Sequence, residues 1–161
     1  MNSSPIARPL LNGFLIPLFA LTLAAEANAS YALEDWNMET RNSLPLTMKI
    51  WLGAMMAANL SSLFFIKNHV AARWVLGALI VGHAWIAVLE ASGTYTVQGG
   101  QVSLGHFIVW APAIYALYRY RSEIRLPSAY GFWACAMFFF YGVSLVFDFR
   151  DAFIWIGSQL A

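Results

Sequence analysis

The sequence predicts an all-α integral membrane protein, an up-down antiparallel bundle of four or five transmembrane helices forming one membrane-embedded domain. Three observations carry this. Hydrophobic residues make up 60% of the 161-residue chain and charged residues 11%, against roughly a quarter charged in soluble domains. The apolar residues gather in runs of about 15 to 21, near the length of about 20 that crosses a bilayer as helix. Basic and acidic residues alternate between successive connections, as the positive-inside rule requires.

The first apolar run, from about Leu10 to Ala25, follows Arg8 and has two readings. Extended back to Ile6 it reaches about 20 residues, enough to span, and Pro17 would only kink it. As a signal peptide, residues 1–29 would end on the cleavage pattern Ala27-Asn28-Ala29. Retention gives five spans and cleavage four.

Residues 26–45 are polar and acidic, with Glu26, Glu34, Asp35 and Glu39 against Arg41 alone. Pro45 suits a helix start, and the run 46–66 follows, with Lys49 near its beginning and Asn59 further in. The turn Lys67-Asn68-His69 leads past Arg73 into a helix over 74–90. Loop 91–103 contains Gly93, Gly99 and Gly100 and carries no charge. A helix over 104–118, kinked at Pro112, precedes a basic turn holding Arg119, Arg121 and Arg125. The last span, 128–147, stops at Asp148, Arg150 and Asp151, and the apolar tail 152–161 is short enough to lie in the interface.

With the amino terminus inside, the inner face holds Arg8, Lys67, Arg73, Arg119, Arg121 and Arg125 of the nine basic residues. Of the eight acidic residues, only Glu123 is inside. The amino terminus and loops 67–73 and 119–127 are therefore expected in the cytoplasm, with loops 26–45 and 91–103 and the carboxy terminus outside. In a bacterium the membrane would be the inner one.

Composition excludes some functions. A net charge of +1 offers no basic patch for nucleic acid. The single Cys135 forbids an intrachain disulfide or a multi-thiolate metal site. No HExxH or histidine pair at helical spacing is present, and no serine has a nucleophile context.

Ionisable residues at lipid depth are costly and mark candidate sites. Matching depth along antiparallel helices at about 1.5 Å per residue sorts them into two layers. Asn59 falls within a turn of His83, and His83 falls level with the Pro112 kink, giving a midplane polar layer. Nearer the outer surface Lys49, Glu90, His106, Tyr141 and Asp148 converge on a vestibule. There Lys49 pairs with Glu90, and a carboxylate holds His106 in one tautomer, as proton relays or metal sites need. Tyr141, Ser144 and Asp148 share one helix face.

The expected role is that of a non-enzymatic membrane subunit, assembly or accessory protein acting through helix–helix contacts. Its partners would be the lipid bilayer and a second copy or another membrane protein. The alternative is binding or transport of a small ligand, metal or proton at the vestibule. A membrane enzyme and a haem-binding electron carrier fit less well, since His83 and His106 count to different depths and misalign as axial ligands. No cofactor is expected. Haem or a metal would have to use one of these histidines with another ligand.

Overall fold

The computed structural model describes residues 31–92 and 96–161. Every regular element within them is helical: α1 (Met38–Ser43), α2 (Leu46–Leu60), α3 (Val70–Ala91), α4 (Gly99–Arg119) and α5 (Ala129–Leu160). Single 3-10 turns at Ser61–Phe64 and Arg121–Glu123 end α2 and follow α4. Residues 1–29, where a first span and a signal peptide compete, lie outside the described residues.

Against an expectation of four or five spans, two helices among the described residues, α3 and α5, are long and apolar enough to cross a membrane. Only 11% of the apolar window of α3 and 33% of that of α5 is buried within the protein. The core helix of a soluble domain is covered; these faces call for lipid or a partner. The 15 residues of α2 span about 22 Å, and the 3-10 turn after it adds one tighter turn.

The helix boundaries move outward from those the sequence suggests. Arg73 lies in the first turn of α3, where its guanidinium donates to the carbonyls of Ile66 and Lys67 at 2.7 and 3.0 Å. The helix therefore starts at Val70 and not at residue 74. α4 starts at Gly99 and not at residue 104, because Gln98 and Gln101 form a reciprocal capping box that satisfies two otherwise orphaned amides. Preceding residues strap this start in place: Trp36 N–H donates to the Val97 carbonyl at 2.7 Å, and Gly99 and Gly100 N–H donate to Glu34 and Ala32, both at 2.9 Å. α5 runs through Asp148, Arg150 and Asp151 to Leu160, so residues 152–161 are not a separate interfacial segment. The charges that mark an end in the sequence have partners, Asp148 on α4 and Arg150 with Asp151 at 3.9 Å, and Trp155 ties the continuing helix to α4 by donating to Gln98 Oε1 at 2.8 Å.

α4 is central, packing along both α3 and α5. Ala71, Ala72 and Ala78 on α3, Ala113 and Ala116 on α4 and Ala134 on α5 are buried, and small side chains let backbones approach. Trp110, Trp133, Met137 and Tyr141 fill the space between. α2 leans on α5, where the Trp51 ring meets Phe139 and Phe140 edge-on and Trp133 Nε1 donates to the Ala58 carbonyl at 2.9 Å.

At the end remote from α1, His69 Nδ1 lies 2.8 Å from Glu123 Oε2, and its ring stacks on Tyr130 at 3.4 Å. This joins the α2–α3 turn to the α4–α5 turn. Nearby, Ser128 caps α5, accepting from Gly131 N–H at 2.9 Å and donating to the Arg125 carbonyl at 2.7 Å. Ser128→Ala is expected to cost about 1 kcal/mol, measurable as a lower melting temperature in detergent.

Candidate functional site: a cavity between α2, α3 and α4

Because α4 begins at Gly99, its depth relative to α3 differs from the count that placed Glu90 opposite His106. A Cβ at Gly82 would meet Val109, and one at Gly105 would meet Trp85. His83 and His106 are therefore level to within about two residues, or about 3 Å. The two histidines belong to one layer and not to two.

Both line a cavity of about 480 Å³ whose walls are α2, α3 and α4. Leu52, Met55, Met56, Leu79, Ile86, Val102 and Trp110 make it largely apolar, and Arg41 and Trp36 stand at its α1 end. Glu90 is on the wall too, where its Oε1 accepts from Arg41 Nη2 at 3.2 Å. That pair is more than a third exposed on both sides, so it contributes little stability. It places opposite charges at the cavity mouth.

Of the expected vestibule residues, Glu90 and His106 share this cavity, and Asp148 reaches it through His106. Asp148 Oδ2 lies 3.0 Å from His106 Nδ1. A carboxylate only accepts, so Nδ1 carries the proton, and in the neutral ring Nε2 is an acceptor. Lys49 stands apart, donating to the Asn42 carbonyl at 2.7 Å, and Arg41 takes its place beside Glu90. Tyr141 is fully buried and reaches the site through a stack. The His106 ring lies 3.9 Å from Trp110, and Trp110 lies 4.9 Å from Tyr141, each pair stacked with nearly parallel planes.

The expected midplane layer divides. Tyr141 Oη donates to Asn59 Oδ1 at 2.6 Å, and Asn59 Nδ2 donates to the Met55 carbonyl at 2.9 Å. The Asn59 amide is thus occupied by α5 and its own helix, not by His83. His83 Nδ1 donates to the Leu79 carbonyl at 2.9 Å, which leaves its Nε2 as an acceptor. Pro112 is exposed on α4 and takes no part. A second, smaller cavity of about 110 Å³ lies on the α5 side of His106 and Trp110, lined also by Trp51, Ser144, Asp148 and Asp151.

Sequence reasoning missed Arg41 and Trp110. Trp110 follows His106 by four residues, the spacing that stacks neighbours on a helix, and that signal was available. Arg41 had only its isolation among acidic residues to mark it.

Among the described residues no group of three or more His, Cys, Asp or Glu side chains is placed to hold a metal ion. A porphyrin between His83 and His106 would have to lie where Gly82 meets Val109, since the two stand on helices that pack directly. Comparison with known proteins adds no relative: no protein-family model, curated protein or solved structure matches the chain.

Proposed function

We propose that this is a multi-pass membrane protein that binds a small, mostly apolar molecule with one polar end in the cavity between α2, α3 and α4. The observation that carries the reading is the cavity itself: an apolar chamber of about 480 Å³ with His83, Glu90, His106 and Arg41 on its walls. Ligand sites take this form, largely apolar with a few convergent polar groups. The positive-inside rule puts the Arg41–Glu90 mouth at the outer surface and the basic turns around residues 67–73 and 119–127 in the cytoplasm.

A rival reading, an accessory subunit working through helix contacts, draws on the bare face of α3. Trp74, Val81, Trp85 and Val88 are all more than half exposed, a surface that fits another membrane protein or a second copy as well as lipid. Native mass spectrometry from mild detergent separates the two. The ligand reading expects an added small-molecule mass on the full chain, lost in Glu90→Gln while the melting temperature holds, since the Arg41–Glu90 pair is exposed. An accessory subunit would instead emerge with a protein partner or as an oligomer, carry no small molecule, and show no small-molecule difference between wild type and Glu90→Gln.

A further inference from the structure

We infer that the cavity recognises its ligand through hydroxyl donors, those of a phenol, hydroquinone or similar lipid-soluble alcohol, each donated to one imidazole Nε2, of His83 or of His106. This rests on the proposed ligand cavity and specifies its chemistry. Both Nδ1 protons are already committed, one to the Leu79 carbonyl and one to the Asp148 carboxylate. A neutral imidazole with Nδ1–H bonded offers a lone pair at Nε2. The two rings line the same cavity from adjoining walls, α3 and α4, within about two residues of one level.

The other polar groups leave the same demand. Glu90 only accepts, and its Oε1 is already used by Arg41. Arg41 is tied to Glu90 and, through Nε, to the Asn37 carbonyl at 3.2 Å. The Asn59 amide is held by Tyr141 and the Met55 carbonyl. The remaining guanidinium N–H groups of Arg41 stand at the mouth, whereas a ligand that meets the two imidazole acceptors supplies hydrogen-bond donors. Metal ions are the other partner for two imidazole nitrogens, but among the described residues no third His, Cys, Asp or Glu joins them. An ammonium donor would bring an extra charge into a largely apolar chamber beside Arg41, which costs far more than a neutral hydroxyl. A hydroxyl satisfies one such nitrogen without charge, and a hydroquinone carries two hydroxyls.

The test uses the full chain in mild detergent, titrated with tert-butylhydroquinone and with its dimethyl ether, which has the same ring but no donor. Hydroquinone is expected to bind at least tenfold more tightly than the ether. His83→Phe should cut the preference for hydroquinone over ether by up to about tenfold, the most that one neutral hydrogen bond is worth. His83→Gln, which keeps an acceptor, should restore part of it. The wild-type comparison needs no variant to fold. Equal binding of the two compounds would overturn hydroxyl recognition and leave the cavity reading standing. So would tighter binding of the corresponding amine or of zinc, or a copurified ligand without a donor group. If neither compound binds and nothing copurifies, both readings fall.

Discussion

Gly100→Ala is expected to destabilise the protein by about 2–3 kcal/mol, the usual cost of forcing extra volume into a filled site. The added methyl would meet the Trp155 side chain, with Cγ at 2.8 Å, and the Asp151 backbone carbonyl oxygen at 2.9 Å. A flexible side-chain tip could swing away from such a contact, but these atoms belong to the trunk of α5. Either α4 moves off α5 or the Gln98–Trp155 hydrogen bond opens. Gly142→Ala is the matched control, on the same helix pair but facing open space. There the expected change is nil or a small gain, because alanine loses less entropy than glycine in a helix. Thermal unfolding in detergent, followed by circular dichroism, reads both. If Gly100→Ala melts with Gly142→Ala, the close packing of the α4 start on α5 is refuted.

The second large effect is expected from Tyr141→Phe. The substitution keeps the ring stacked on Trp110 but leaves Asn59 Oδ1 without its donor, in a residue only 4% exposed. An orphaned buried acceptor costs about 1–3 kcal/mol. Asn59→Leu alone strands the Tyr141 hydroxyl and should cost a similar amount. The double variant Asn59→Leu/Tyr141→Phe removes both polar groups and is expected to recover most of the loss, because replacing a whole hydrogen-bonded pair by apolar groups is nearly neutral. The coupling from the four melting curves is therefore the observable. Strict additivity would show that the two groups do not interact.

These two predictions also show what could be read from the chain beforehand. Runs of apolar residues announce helices because only a helix satisfies its own backbone in an apolar setting, and the helical elements follow those runs. Gly99 and Gly100 mislead, since glycine marks loops and close approaches alike. Here both sit inside the capped first turn of α4, where a side chain would strike the Tyr31 carbonyl or Trp155. That five-residue difference in the start of α4 changes every depth match along the hairpin. It separated His83 from His106 on paper and brings them level in space. The contact between His106 and Asp148 is legible, because helix-face periodicity and rough depth both point to it. The choice of Arg41 over Lys49 beside Glu90 is not, because it depends on how a short helix outside the bundle folds back over the mouth.

The length of α5 has its own consequence. Its 32 residues make a rod of about 48 Å, while the hydrocarbon layer of a bilayer is about 30 Å thick. A rod that exceeds the layer it crosses must either lean or protrude. The final turns of α5 are fastened to the first turn of α4 by Trp155 against Gln98 and Gly100, so α5 cannot lean independently. With α5 crossing a membrane, hydrophobic mismatch would act on α4 and α5 as one body, and lipid thickness would set the attitude of the wall that carries His106.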